Sequence, residues 1–251
     1  MLAAQRKDHL LDLLARDGRV VAKTVADEVG VSEDAIRRDL RELAEEGKLQ
    51  RVYGGALPIP AADRPVRERH DLATESKERV ARRAAASIRP GSTIVLDAGT
   101  TTLALARLLP AGTGITVITP SPAVALATAE HSDARVLMIG GELTRHSMVA
   151  GGGLAMEAIQ HLAADVFFLG VTGVDPAHGL TTGELDDAVT KRAIAARCAE
   201  TVVLASEEKI GAASRYPVLP LEAITAVLTD PLDENPLITQ IAALISGNRA
   251  G

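Results

Sequence analysis

Val31-Ser32-Glu33-Asp34-Ala35-Ile36-Arg37-Arg38-Asp39-Leu40-Arg41-Glu42-Leu43 reads as one helix with two unlike faces. Ser32 stands at the N-cap, where a hydroxyl accepts a hydrogen bond from an orphan amide of the first turn. Glu33 and Asp34 set negative charge against the positive end of the helix dipole. Ile36, Leu40 and Leu43 recur at helical spacing and form an apolar rear. Arg37, Arg38 and Arg41 lie off that rear and point outward. A short helix with a buried back and arginines in front suits the major groove of B-DNA, where arginine reads guanine bidentately. Ser32, Arg37, Arg38 and Arg41 are therefore the expected contacts of a DNA-recognition helix.

Outward from this helix the pattern agrees. Leu2 to Ala15 reads as a helix with Leu10, Leu13 and Leu14 on one face, stopped at Asp17-Gly18. Arg19-Val20-Val21 is a short extended piece, Ala22 to Val29 a second short helix, and Gly30 a sharp turn into Val31-Ser32. Two short helices about a Gly-containing turn make a helix-turn-helix. After Gly47, Lys48 to Tyr53 alternates polar and apolar as a strand does, and Gly54-Gly55 turns it. Pairing of that strand with Arg19-Val20-Val21 gives a winged helix-turn-helix, with Lys48, Arg51 and Tyr53 near the flanking phosphates. The competing reading is a three-helix module that packs against protein. The arginine triplet on one exposed face favours double-stranded DNA.

Bulk charge does not help. The formal net charge is -6, and residues 1–56 hold ten Lys/Arg against eleven Asp/Glu, a balance of -1. Binding to DNA must rest on where the charges sit. Tyr53, Tyr216, Phe167 and Phe168 are the only aromatics, too few for stacking on RNA or single strands. No run approaches the roughly 18 apolar residues of a membrane span, and the N-terminus is too polar for a signal peptide. Cys198 is the single cysteine, expected as a buried thiol on the last turn of a helix, which suits a reducing cytoplasm. His9, His70, His131, His146, His161 and His178 show no metal-ligand spacing. Neither a metal, a cofactor nor a membrane partner is expected.

Leu57 to Pro65 carries three prolines in nine residues, which resist helix and mark a boundary. The expected division is residues 1–57 as the winged helix-turn-helix, 58–74 as linker and 75–251 as a second domain. The mixed charges from Arg64 to Arg83 read as a solvated helical face or a basic flank to the DNA domain. Glu75 to Ile88 is the expected helix, with Val80, Ala84 and Ile88 spaced by four.

Beyond Ser92 short apolar runs alternate with helical stretches. Strands are expected at 94–96, 115–118, 136–139, 166–171, 202–204 and 226–228, with helices near 103–109, 121–130, 152–162, 184–199 and 236–246. The fold class is α/β, a largely parallel sheet covered by helices on both faces. Ligands in such folds bind beyond the carboxyl ends of the strands. There the chain places Asp97-Ala98-Gly99-Thr100-Thr101-Thr102, Thr119-Pro120-Ser121, Gly140-Gly141-Glu142, Thr172-Gly173, Thr181-Thr182 and Ser206-Glu207-Glu208-Lys209. Small residues expose amides and hydroxyls, and Gly99 with three threonines suits a phosphate. Lys191 and Lys209 supply countercharge; Asp97 or Glu184 accepts from sugar hydroxyls. The expected effector is a small polyol bearing a phosphate, held by Asp97, Gly99, Thr100, Thr101, Thr102, Thr119, Gly141, Glu184, Lys191 and Lys209. Each loop taken singly is also an ordinary helix cap. No Gly-x-Gly-x-x-Gly and no P-loop follows a strand.

Several of these residues carry a resemblance. Gln5-Arg6, Gly18-Arg19-Val20, Val31-Ser32, Ile36-Arg37-Arg38-Asp39-Leu40, Gly47 and Arg51-Val52-Tyr53-Gly54-Gly55-Ala56 resemble the DNA-binding domain of the DeoR family of bacterial repressors. Leu96-Asp97-Ala98-Gly99-Thr100-Thr101, Gly140-Gly141, Phe168-Leu169-Gly170, Gly179-Leu180-Thr181-Thr182 and Lys191-Arg192 look like its sensor domain. The resemblance implies a ribose-5-phosphate-isomerase-like fold and a repressor of carbohydrate catabolism relieved by a phosphorylated sugar. It further implies a homodimer or homotetramer on an operator. The chain departs from the family pattern with Ala35 in place of Thr, Pro120 in place of Asn, and Ser206-Glu207-Glu208 ahead of Lys209. The alternative readings are a sugar-phosphate isomerase using Asp97 or Glu184 as base, and a scaffold with a degenerate pocket.

Overall fold

The computed structural model describes residues 2–52 and 54–247 and divides the chain into two units, Met1–Ile59 and Pro60–Gly251. In the first, α1 (Ala3–Asp17), α2 (Ala22–Val29) and α3 (Glu33–Glu45) enclose Leu10, Leu14, Val25, Ile36, Leu40, Leu43 and Leu49. The helices form where the leucine spacing places them and stop at Gly18 and Gly30, whose left-handed backbones return an N–H to Leu14 and Ala26. Ser32 caps α3, its Oγ accepting from the Ala35 N–H at 3.3 Å.

The wing corrects the expected pairing. Strands β1 (Val20–Val21), β2 (Gln50–Val52) and β3 (Gly55–Leu57) lie in the order β1-β3-β2. The strand after Gly47 does not meet Val20-Val21; β3 lies between them and pairs antiparallel with both. Gly55 is the reason, because a Cβ there would sit 1.8 Å from the Val20 carbonyl oxygen. Only a bare Cα lets the returning chain lie this close to β1.

In the second unit the strands are β4 (Thr93–Leu96), β5 (Thr116–Thr119), β6 (Arg135–Met138), β7 (Glu142–Thr144), β8 (Val149–Gly151), β9 (Ala164–Gly170), β10 (Gly173–Asp175), β11 (Gly179–Thr182), β12 (Cys198–Ala205), β13 (Tyr216–Pro217) and β14 (Ala226–Thr229). The helices are α4 (Thr74–Ser87), α5 (Thr100–Ala106), α6 (Pro122–His131), α7 (Gly152–Gln160), α8 (Leu185–Ala195) and α9 (Leu237–Gly247). Six strands form a parallel sheet in the order β14-β12-β9-β4-β5-β6. Successive strand residues face opposite ways, and Phe167 and Phe168 show the result. Phe167 packs in the core with Ala155 and Ile159 of α7, Ala188 of α8 and Ile241 of α9. Phe168 packs in the other, with Val80 of α4, Leu105 of α5 and Val124 of α6. Burying each such ring contributes about 1.5–3 kcal/mol, so this pair rivets both helical layers to the sheet.

Three expectations change here. Cys198 begins β12 instead of ending a helix; burial and the neighbouring Asp165 push its thiol up to about 12, so it is unreactive. The charges of α4 are neither a solvated face nor a flank for DNA throughout: Ser76 and Lys77 are buried. Arg79 forks onto Asp230 with two bonds of 2.8 Å, and Arg83 donates to the Thr229 carbonyl at 2.7 Å. These bonds tie α4 to the end of β14, and the Arg79 guanidinium holds the Asp230 carboxyl far below the usual range. Much of the expected linker folds onto the second unit, with 3-10 turns at Ala61–Asp63 and Val66–Glu68 and a buried Ala62. Among the described residues no helix is long and apolar enough to cross a membrane.

Candidate functional site

The sheet order sets where a ligand can enter. From β4 the chain runs through β5 to the β6 edge, then returns to place β9 on the other side of β4 and continues to β12 and β14. The order reverses between β4 and β9. At such a point the loops leaving the two strands diverge and open a crevice at the carboxyl ends. A cleft lies there, lined by Ala98 to Thr102 after β4, by Gly170 to Thr172 after β9, by Thr182 to Glu184, Asp187 and Lys191 around the start of α8, and by Lys209 after β12.

Beneath it lies a buried ion trio. The Lys191 ammonium is 2.6 Å from Asp97 Oδ2 and 3.0 Å from Asp187 Oδ1, and all three side chains are at most 7% exposed. Burial alone lowers a lysine pKa, but the Asp187 and Asp97 carboxylates reverse that and raise Lys191 above its ordinary value. Asp97 is fully engaged: Oδ1 accepts from the Ala98 N–H at 2.8 Å, and Oδ2 also accepts from the Gly170 N–H at 2.9 Å. It is outside the cleft lining and positions Lys191, which corrects its expected role as an acceptor from sugar. Asp187, missed in the sequence, accepts from the Thr182 hydroxyl at 2.6 Å.

Lys209 reaches the floor from the other side and donates to Thr101 Oγ1 at 3.2 Å and to the Leu204 carbonyl at 3.3 Å. Burial pushes its pKa down to about 8; the nearby cations Arg69, Lys77 and Lys191 lower it and Glu208 opposes them. Among the described residues, four buried atoms of the cleft lining have no hydrogen-bond partner: Asp187 Oδ1, which keeps its ion pair with Lys191, and Arg69 Nε, Ser147 Oγ and Glu184 Oε2. Unpaired polar atoms in a protein interior are costly, and a ligand that pairs them recovers that cost.

The sequence expectations sort cleanly. Gly99, Thr100, Thr101, Thr102, Glu184, Lys191 and Lys209 meet at this cleft. Thr119 and Gly141 are not part of it. Thr119 is fully buried, its Oγ1 accepting from the Ser121 N–H at 3.1 Å. Gly141 packs its bare Cα against the Gly151 carbonyl, 2.3 Å from where a Cβ would lie. Ser206, where the family pattern differs, is buried and donates to Glu208 Oε1 at 2.8 Å. Arg69, Asp63, Ser147 and Asp187 escaped notice because none follows a strand directly, though Arg69 and Asp63 could have been flagged as charges between prolines and a helix.

On the first unit Arg37, Arg38 and Arg41 of α3 are exposed, as are Lys48 and Arg51. Tyr53 lies outside the described residues. Arg37 and Arg51 line one groove between α3 and the wing, with Ala22 and Val52. Several acids of the unit are paired with its own bases, Asp39 in the interior and the others at the surface. Glu33 pairs with Arg37 at 2.7 Å, Lys7 takes Glu42 at 2.8 Å and Glu46 at 3.2 Å, and Arg6 forks onto the buried Asp39.

A winged helix-turn-helix with an arginine face, in one chain with a parallel sheet that opens a charged cleft at its switch point, defines the class of ligand-sensing DNA-binding regulators. Comparison with known proteins gives the family. Residues 6–60 match the DeoR-like helix-turn-helix domain, and residues 72–231 match the DeoR C terminal sensor domain. The chain belongs to the DeoR family and is a DNA-binding transcriptional regulator. It is 35% identical over 235 residues to the HTH-type transcriptional regulator GlpR of Haloferax volcanii, covering 92% of this chain and 91% of that one. It is 31% identical over 231 residues to the glycerol-3-phosphate regulon repressor of Escherichia coli K12, covering 92% of each chain. With the HTH-type transcriptional repressor GlcR of Bacillus subtilis it shares 29% identity over 235 residues, 92% of this chain and 90% of the other. A solved D-ribose-5-phosphate isomerase in complex with phospho-erythronic acid aligns at a TM-score of 0.40, with 23% identity over 55% of this chain and 54% of that one, a likeness too slight to bear on the site.

Proposed function

We propose that this protein represses a carbohydrate-catabolism operon and releases its operator when a phosphorylated sugar or polyol enters the cleft of the second unit. The observation that carries this reading is the set of buried polar atoms without a hydrogen-bond partner, Arg69 Nε, Ser147 Oγ and Glu184 Oε2, in the lining of a cleft that also holds Lys209. Lys191 is already neutralised by Asp97 and Asp187, but Lys209 and Arg69 call for an anion, while a carboxylate and a hydroxyl call for hydroxyl groups, and a polyol phosphate carries both. The relatives' names, which include a glycerol-3-phosphate regulon repressor, support the same class of effector. In this scheme a cytoplasmic homodimer or homotetramer sets two recognition helices on half-sites roughly 34 Å apart or a multiple of that, and no cofactor takes part. Asp97, the candidate base for an isomerase, has both oxygens engaged, which favours sensing over catalysis. A turnover assay on sugar phosphates separates the two.

The direct test pairs calorimetry with gel shift: a sugar phosphate that binds the full chain must weaken its hold on the operator, and by linkage the operator must weaken the sugar phosphate equally. Binding without that reciprocity removes the sensor reading. In the same gel shift Arg38→Ala weakens the operator complex by about 1–3 kcal/mol, the value of one bidentate base contact, with helicity unchanged. An unchanged titration takes α3 out of the DNA interface.

Lys209 adds a pH signature. An ammonium group whose pKa lies at about 8 in the free protein holds an anion below that pH and lets go as pH rises through it. A phosphate monoester is already mostly dianionic there, with its second pKa near 6, so the decline reports the protein. Calorimetry should show affinity falling by up to about tenfold per unit above that point, and Lys209→Arg should flatten the profile. A flat wild-type profile takes Lys209 out of contact with the effector.

A further inference from the structure

The residues that join the DNA-binding unit to the sheet do more than connect. We infer that residues 60–72 form a strap that supplies the effector's anion ligand, Arg69, so that occupancy of the cleft and placement of the strap are one event. This rests on the sensor reading above and names a residue and a device that reading does not contain. The strap lies along the mouth of the cleft, with Asp63 and Arg69 in its lining. It is held by a few polar contacts. Asp63 Oδ2 accepts from the Ser214 hydroxyl at 2.8 Å, the Asp63 carbonyl lies 3.0 Å from His146 Nε2, and the Val66 N–H donates to the His146 carbonyl at 3.1 Å. At its far end the buried Lys77 ammonium donates to the carbonyls of Arg69 and Leu72.

Two features turn the strap from a tether into part of the site. Arg69 Nε is buried without a hydrogen-bond partner, and its backbone carbonyl is pinned by Lys77, so the side chain is aimed and left one bond short. Phosphate, like carboxylate, offers the paired oxygens that an arginine fork matches. At the other end, Asp63 Oδ1 lies where the Cβ of any residue but glycine at 183 would fall, 1.8 Å away. The Asp63 carboxylate can occupy this position only because Gly183 is bare. The carboxylate is also the strap's own anion in the cleft, so an incoming phosphate both recruits Arg69 and repels Asp63. The strap follows the last residue of the DNA-binding unit in the chain, which makes it the shortest covalent route from cleft to head.

The test uses the full chain and calorimetry with ribose 5-phosphate, fructose 6-phosphate and glycerol 3-phosphate, each beside its unphosphorylated parent. Arg69→Gln should cost a bound phosphate about tenfold to hundredfold in affinity, the loss of one charge-assisted hydrogen bond, and leave any binding of the parent sugar unchanged. Arg69→Lys should recover part of it. A role confined to holding the fold would lower both ligands alike. Amide exchange across 61–72 gives the second readout: it should respond to the phosphate in the wild type and not in Arg69→Gln. Gly183→Ala, which evicts Asp63 without touching Arg69, should speed exchange there with no ligand present. A sugar phosphate that binds Arg69→Gln as tightly as wild type, or strap exchange indifferent to ligand and to Gly183→Ala, overturns the strap and leaves the sensor reading standing. Wild-type protein that binds none of the three phosphates overturns both.

Discussion

Lys191→Met removes about 3–5 kcal/mol from the stability of the second unit, the usual cost of stripping one partner from a buried ion group. The loss is large because Asp97 and Asp187 remain, both buried, with no ammonium between them. Urea unfolding followed by circular dichroism should show an early transition assigned by amide exchange to β4 and β9, while α1 and α3 keep their protection. Neutralising the residual charge should restore most of the loss: Asp97→Asn and Asp187→Asn added to Lys191→Met leave amides that can still take the hydrogen bonds of Gly170 and Thr182. Two groups set the sign with pH: burial raises the Asp97 pKa, so ionising that carboxyl counts against the fold, and Lys191 acts at the alkaline end. Its pKa is raised in the folded protein, so its contribution is complete below the ordinary 10.5 and fades as pH rises through the higher folded value. A single variant that costs under about 1 kcal/mol, as surface pairs do, means the trio is not the buried, ionised floor described above.

Asp39→Ala is the second large effect, and it separates two arginine-rich roles on one helix. The Asp39 side chain is 4% exposed and takes a fork from Arg6 of α1. Removing it takes that fork from Arg6, a cost of about 1.5–3 kcal/mol, that of a hydrogen bond to a charged group. A unit of this length holds roughly 3–9 kcal/mol in all at ordinary per-residue stability. The loss takes a large share of that, so the unfolded fraction of the head should rise by more than about tenfold and operator binding should weaken with it. Amide exchange in α1 and α3 should speed up by the same factor, with that of the second unit's sheet unchanged. Arg38→Ala, one residue away on the exposed face, should leave protection unchanged. If Asp39→Ala leaves exchange in α1 and α3 unchanged, Asp39 is no staple, and its place beside Arg38 needs another account.

Local pattern was enough for the helices of the head, for the alternation of strands and helices beyond Ser92, and for the loops rich in glycine and hydroxyls. Leucine spacing, an N-cap serine and left-handed glycines act within four residues of themselves, so a reader of the chain meets cause and effect together. The three arginines could be assigned to an outer face for the same reason.

Other features depend on contacts between residues far apart in the chain. Asp97 meets Lys191 across 94 positions, and its hydrogen bond to Gly170 spans 73, so nothing beside it in sequence reveals that its oxygens are taken. Thr119 and Gly141 end or follow strands as the true cleft residues do, but they serve strands on the far side of the switch point. Arg69 sits in a stretch that composition marks as linker, and only the fold turns it back over the cleft. The sequence by itself determined the helices of the head, the six strands of the parallel sheet and the chemical character of their ends, but not the short strands β3, β7, β8, β10, β11 and β13, which form only where distant backbone meets. Strand order, a property of the whole packed sheet, decided which of those ends meet, and therefore which residues form the site.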